Sequence, residues 1–166
     1  ENMTAMGYAT KKILDFARGK SQLLISELCE EIVHEFLPKK MFPGMKRRVE
    51  EHQTIGHDTW IVSASPIEIA SIVANKLNMT GAVATTGEVV QGNYSGNLPG
   101  GTMHGINKAH AVRALAETRD YDLRTSFAYS DSINDLPLLV SVGNPFIVNP
   151  NKHLENVALK NRWPIL

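Results

Sequence analysis

Two carboxylates follow an apolar segment in the last third of the chain. Asp131 and Asp135 lie four residues apart, directly after the apolar stretch 126–129. Ligand sites of open α/β sheets collect at the carboxyl ends of parallel strands, and Mg²⁺ prefers one or two carboxylates together with water and phosphate oxygens. The pattern therefore indicates a magnesium and phosphate site. A capped turn before a helix is the alternative, since Ser, Asp and Asn are favoured there.

A hydroxyl-rich turn follows a second apolar segment. Ser63, Ala64 and Ser65 come after Ile61-Val62 and before a helix that begins at Pro66. Backbone N–H groups at such a helix start can hold a phosphate, and the Ser63 hydroxyl adds a donor. The competing interpretation is that Ser65 only caps the helix, in a capping box with Glu68.

Lys108 lies at the start of a further amphipathic helix. A lysine beside this turn can direct a positive charge at a phosphate, although most surface lysines are only solvated. Ser63 and Lys108 both lie at element boundaries, so we predict that neither side chain is needed for packing.

The elements that would position these residues change in character along the chain. Residues 1–40 predict helices, with Leu24, Leu28, Ile32 and Phe36 at helical spacing and Pro38 ending the second helix. From Pro43 onward, short apolar strands alternate with helices, which is typical of a parallel α/β sheet. The predicted elements are a helix over 43–53, a strand over 59–63, a helix to 77, a strand over 82–85, a hairpin around 91–93, a helix over 107–118, a strand over 126–129, a short helix over 136–140, a strand over 145–148 and a helix over 151–161.

Composition excludes several classes of function. The 166 residues include 43% hydrophobic and 20% charged residues, as in an ordinary globular protein. Lys plus Arg and Asp plus Glu each number 17, so bulk charge favours neither nucleic acid nor an anionic membrane as partner. No apolar run approaches the roughly 20 residues of a membrane span. The single cysteine, Cys29, predicts a buried thiol and a cytoplasmic location.

Competing motifs are missing from the sequence. The glycines of 96–105 form neither a Walker A sequence nor GxGxxG, and Ser63 is not in a GxSxG context. The six histidines lack the spacing of a zinc site.

The three chemical features occur in an order that resembles the haloacid dehalogenase superfamily of phosphohydrolases. The serine turn Ile61–Pro66, Lys108 and the segment Tyr129–Pro137 are similar to its motifs two, three and four. The residues of these segments, together with Val148–Pro150 and Arg162–Pro164, resemble those of subfamily IB, the phosphoserine-phosphatase-like branch.

The resemblance implies a fold and an activity. We expect a Rossmann-like parallel α/β sheet with flanking helices over 41–166 and a small helical cap over 1–40. The implied activity is Mg²⁺-dependent hydrolysis of a small phosphorylated metabolite through an aspartyl-phosphate intermediate. Phosphoserine is the first substrate to consider, and the sequence leaves self-association open.

The resemblance also assigns roles to individual residues. Ser63 and Ala64 would bind the phosphoryl group, with the Ser63 hydroxyl as donor, and Lys108 would neutralise its charge. Asp131 would bind Mg²⁺ directly. Asp135 and Asn134 would hold the water shell of the metal and the phosphate.

One departure from the family pattern is large. The superfamily begins with Asp-x-Asp-x-Thr, which carries the nucleophile, and this sequence contains no such motif; Asp120 and Asp122 lie after the lysine helix. We therefore expect the chain to lack the first strand, which in the family lies between the strands at 59–63 and 126–129, and to be inactive alone. A catalytically inactive phosphate-binding or regulatory module is the main alternative, and a receiver-like domain phosphorylated on Asp131 is a second.

Overall fold

Three helices open the part of the chain that the structure describes. The computed structural model describes the backbone of residues 5–166 and the side chains of residues 11–166. The helices are α1 (Ala5–Ala17), α2 (Gln22–Lys40) and α3 (Pro43–Thr54). The prediction that Pro38 ends α2 is wrong, because a proline in the last turn removes only one intrahelical bond and the helix continues for two residues. No helix within residues 5–166 is both long enough and apolar enough to cross a membrane.

The apolar stripe of α2 is exposed rather than buried. Leu24, Ile32 and Phe36 keep 42%, 46% and 47% of their surface accessible. The buried residues of α2 are instead Cys29 and Val33, on a helix that packs against the helix following the first strand. The spacing thus predicts the helix correctly, and the expected burial of Cys29 is confirmed.

A parallel strand pair and a hairpin follow the three helices. Their elements are β1 (Trp60–Pro66), α4 (Ile67–Lys76), β2 (Gly81–Thr85), β3 (Val89–Val90) and β4 (Asn93–Tyr94). Strands β1 and β2 are parallel, as the α/β pattern predicts. The hairpin turns at Gln91 and Gly92, whose φ angles of 49° and 80° suit a two-residue turn that matches the twist of the strands.

A second parallel pair lies in the last third of the chain. Its elements are α5 (Ile106–Arg119), β5 (Phe127–Ser130), a 3₁₀ helix (Ile133–Asp135), α6 (Leu136–Leu139), β6 (Asn144–Ile147) and α7 (Lys152–Asn161). Strands β5 and β6 are parallel and in register from Phe127 to Ser130. Leu139, Ile147 and Leu154 are fully buried and form the core.

The chain divides into two compact units, one ending at Met103 and the other spanning His104–Leu166. Within residues 5–166, the strands form two separate parallel pairs and a hairpin, so the predicted parallel pairing is present within each pair. In this described part, β1 pairs only with β2 and β5 only with β6. The predicted boundary between a cap over 1–40 and a core over 41–166, and the predicted missing strand, stay predictions.

Candidate functional site

The carboxyl end of β5 is organised around the hydroxyl of Ser130. Its Oγ donates to Asp135 Oδ2 over 2.8 Å and accepts from the backbone N–H of Ser132 over 3.0 Å. Ser132 then caps the 3₁₀ helix, because its Oγ accepts from the backbone N–H of Asn134 over 3.2 Å. Serine side chains favour such local bonds over strand pairing, which explains why the strand stops here. The turn therefore fixes the carboxylate of Asp135 behind the strand end.

Lys108 meets that carboxylate from helix α5. Its Nζ lies 2.7 Å from Asp135 Oδ1, and the two side chains are only 10% and 12% exposed. The helix begins after Gly105, whose φ of 55° is a backbone conformation that favours glycine. The prediction that Lys108 is not needed for packing is wrong, since a buried ammonium requires its partner.

Asp131 and Asn134 differ from Asp135 in their surroundings. Both are exposed, whereas Asp135 is buried. Asp131 makes no hydrogen bond or ion pair with the residues that the structure describes. Its carboxylate is thus accessible to a ligand from solvent.

The end of β1 carries the other predicted phosphate contacts, in the first unit. Ser63 is half-buried, and its Oγ accepts from the backbone N–H of Ser65 over 3.1 Å. The pairing with β2 shifts between Ser63 and Pro66, and the carbonyl of Ala64 accepts from Thr85 Oγ1 over 2.8 Å. A bulge of this kind re-aims the backbone at a strand end and is common beside active sites.

The predicted capping box of α4 is wrong. The strand continues through Pro66, which takes the cap position and makes no side-chain cap bond, so Ser65 caps nothing. Glu68 instead accepts a hydrogen bond from the hydroxyl of Tyr94 on the hairpin. Burial raises the pKa of Tyr94, and the hydrogen bond to Glu68 raises it further. The first amides of α4 are consequently free of side-chain caps.

The carboxylates fit a magnesium ion only in part. Within residues 5–166, no group of three or more His, Cys, Asp and Glu side chains could hold a metal. Asp135 Oδ1 already pairs with Lys108, and its Oδ2 already accepts a hydrogen bond from Ser130. Asp131 remains as a single accessible oxygen donor, which suits Mg²⁺ when water and phosphate complete the shell.

The structure brings together Lys108 and Asp135 and adds Ser130, which the sequence reasoning did not include as a site residue. The sequence signal that could have indicated Ser130 is a serine at the end of a predicted strand, five residues before an aspartate. The structure does not join Asp131 to these side chains by a hydrogen bond or ion pair.

Comparison with known proteins places the chain in a family. Residues 5–140 match the model of the haloacid dehalogenase-like hydrolases. The chain therefore belongs to the haloacid dehalogenase-like hydrolase family and is phosphoserine phosphatase-like, which confirms the resemblance found in the sequence. Its parallel strand pairs and helices form a mixed α/β fold of that family.

Individual relatives agree with this assignment. The chain is 37% identical over 165 residues, 99% of its length and 54% of the relative's, to phosphoserine phosphatase SerB1 of Mycobacterium tuberculosis. It is 33% identical over 149 residues to a histidinol-phosphatase of Neisseria meningitidis, covering 86% of this chain and 66% of that one. A Bordetella pertussis protein of unknown function shares the fold, with a TM-score of 0.87 at 24% identity over 98% of this chain and 74% of that one. The chain spans about half the length of the first of these relatives.

Proposed function

We propose that the protein is a phosphatase that hydrolyses small phosphomonoesters with Mg²⁺, and that phosphoserine is the first substrate to test. The observation that carries this proposal is the buried cluster of Lys108, Asp135 and Ser130 at the end of β5. An ammonium held in place by a carboxylate is a preorganised positive charge, and phosphoryl transfer depends mainly on positioning and charge neutralisation.

The residues present would bind and orient the phosphoryl group. Lys108 would neutralise its negative charge while Asp135 holds the ammonium in place. Ser63 would donate its hydroxyl proton, because its Oγ only accepts a bond among the described residues. The amides of Ala64 and of the uncapped start of α4 would add weaker donors. Asn134, exposed beside Asp135, would contact the phosphate or its water shell.

Asp131 would hold the magnesium ion, with Asp135 supporting the water shell from behind. When bound, Mg²⁺ would offset the charge on the phosphoryl group and on the attacking carboxylate. That carboxylate is not among these residues, since the sequence contains no Asp-x-Asp-x-Thr. We therefore propose that this chain alone does not turn over phosphomonoesters. The predicted cytoplasmic location remains part of this proposal.

A second candidate is a phosphate-binding or regulatory module without turnover, because the described residues would bind phosphate without a nucleophile. Both candidates require phosphate binding through Lys108, and only the first requires hydrolysis. Release of phosphate from phosphoserine and histidinol phosphate, measured with and without Mg²⁺, separates them. The assay compares this chain with a version that carries an upstream Asp-x-Asp-x-Thr segment from a relative.

Hydrolysis by the extended protein and none by this chain would support the phosphatase. Phosphate binding by both proteins without turnover would support the module. Rapid Mg²⁺-dependent turnover by this chain alone would contradict the proposal that its nucleophile is missing. Stable phosphorylation of Asp131 would favour the receiver-like alternative.

Two variants test the assignments within the site. Lys108→Met should reduce turnover of the extended protein by about 100-fold or more, as removal of a preorganised charge commonly does. Asp131→Asn should weaken Mg²⁺ affinity far more than the control Asp122→Asn, whose carboxylate is already engaged by Arg124. Equal effects on Mg²⁺ titrations would remove Asp131 from the metal site.

A further inference from the structure

One buried polar atom in the second unit has no hydrogen-bond partner. In the described part of the chain, Nε2 of His104 is the single buried side-chain nitrogen or oxygen in this condition. The buried polar side chains of this unit are satisfied, since Asp135 pairs with Lys108 and accepts a hydrogen bond from Ser130. Native proteins rarely leave such an atom unpaired, because burial without a partner is unfavourable. An exception beside a candidate site points to a ligand.

His104 lies at the entrance to helix α5, four residues before Lys108. Its carbonyl accepts from the backbone N–H of Asn107 over 3.1 Å, and Gly105 accepts from that of Lys108 over 3.2 Å. These bonds use two of the first amides of α5. Fewer of the first helix amides are therefore left for an anion, and a side-chain donor in this segment gains importance.

The same segment runs alongside the turn that holds Asp135. A Cβ added at Gly105, the residue after His104, would lie in ordinary contact with the carbonyl oxygen of Asn134, at 3.9 Å. His104 thus belongs to the segment that packs beside the Lys108–Asp135 pair.

We propose that Nε2 of His104 donates a hydrogen bond to a phosphoryl oxygen of the substrate, as a second phosphate-binding side chain beside Lys108. This inference rests on the proposed phosphatase or phosphate-binding function. The tautomer with its proton on Nε2 supplies the donor. A bond to an anionic oxygen is stronger than one to a neutral acceptor, so the ligand satisfies the atom that the protein leaves unpaired.

The test measures binding of inorganic phosphate in the presence of Mg²⁺, together with the melting temperature. His104→Phe keeps the ring and removes the donor, and His104→Gln restores an N–H at a similar distance from the backbone. His110→Phe is the matched control, because His110 is an exposed histidine on helix α5, the helix that follows His104. Lys108→Met reports on the proposed site itself.

We expect His104→Phe to weaken phosphate binding roughly 3- to 30-fold. Its melting temperature should stay the same or rise, because an unpaired buried nitrogen has been removed. His104→Gln should bind phosphate within about threefold of the wild type, and His110→Phe should change neither quantity.

Wild-type affinity in His104→Phe would overturn the inference and leave the proposed function intact, provided that Lys108→Met loses binding. A lowered melting temperature in both His104 variants, with phosphate affinity unchanged in the folded protein, would assign His104 a structural role and also overturn it. Failure of the wild type to bind phosphate would overturn both proposals.

Discussion

The two parallel strand pairs end in the same local turn but differ in what surrounds it. At the end of β1, Ser63 accepts from the backbone N–H two residues later over 3.1 Å, and at the end of β5, Ser130 does the same over 3.0 Å. Ser130 also donates to the buried Asp135, which pairs with Lys108. Ser63 has no such acceptor among the described residues.

If both strand ends bind phosphate as proposed, they differ in how their polar groups are prepared for it. At β5 the polar groups satisfy one another, so the charge of Lys108 is held in place before any ligand arrives. At β1 the hydroxyl proton is left available to a ligand. Substitutions at the β5 end should therefore affect stability strongly, and those at the β1 end should affect ligand binding more than folding.

The largest expected effect is at Asp135. Asp135→Asn removes the charge that compensates Lys108 and leaves a buried ammonium unpaired, which should reduce the free energy of unfolding by about 3–5 kcal/mol. Asp131→Asn, at an exposed carboxylate four residues earlier, should change it by no more than about 0.5 kcal/mol. Urea unfolding of both variants measures the difference. Equal losses would show that the ion pair does not stabilise this strand end.

The two serines give the most direct comparison. Ser130→Ala removes a hydrogen bond to a buried charged group and should reduce the free energy of unfolding by about 1.5–3 kcal/mol. Ser63→Ala removes only a half-buried local acceptor and should lower it by about 0.5 kcal/mol. The affinity for inorganic phosphate should follow the opposite order, because Ser63→Ala should weaken binding more than Ser130→Ala. Similar destabilisation by the two changes would remove the distinction between the strand ends.

A smaller effect is expected where the first unit has its own buried polar contact. Tyr94 on the hairpin donates to Glu68 in the first turn of α4. A double-mutant cycle with Tyr94→Phe and Glu68→Gln should give a coupling of about 1 kcal/mol in the free energy of unfolding. Additive effects of the two changes would mean that the contact does not hold the hairpin to the helix.

Local signals predicted most of the elements, because each depends on neighbouring residues. The predicted helix starting at Pro43, the hairpin around 91–93 and the strand over 126–129 all agree with the structure within a few residues. Asn151 caps α7 by accepting from the backbone N–H of Leu154, at the helix start that we predicted.

Non-local features were not predictable in the same way. Burial of Lys108 depends on helix α5 approaching Asp135, and nothing in the sequence around the lysine encodes that distance. The hydrogen bond between Tyr94 and Glu68, which replaces the predicted capping box, likewise joins residues that are 26 positions apart in the sequence. The apolar stripe of α2 shows the limit most clearly, because periodicity gives the helix but not which face packs. Three-dimensional contacts determine the burial of Lys108, the partner of Glu68 and the packed face of α2.

The smallest predicted effect concerns pH and the helix that precedes β1. Nδ1 of His52, in the last turn of α3, lies 2.9 Å from Nδ1 of His57, so one ring must donate and the other accept. Burial lowers the pKa of His52, the charges of His57 and Arg48 lower it further, and Glu51 opposes them in part. The folded protein therefore favours the neutral ring. Its contribution to stability is fully present above the unfolded pKa of about 6.5 and is lost as the pH falls through the lower folded value.

Between pH 8 and pH 5 the melting temperature of the wild type should accordingly fall more than that of His52→Gln, which cannot titrate. His34→Gln, at an exposed histidine of α2, is the control and should keep the wild-type pH dependence. A difference confined to His52→Gln would assign this pH sensitivity to the histidine pair that precedes β1. Identical pH profiles for wild type and His52→Gln would mean that the histidine pair does not stabilise the segment that leads into β1.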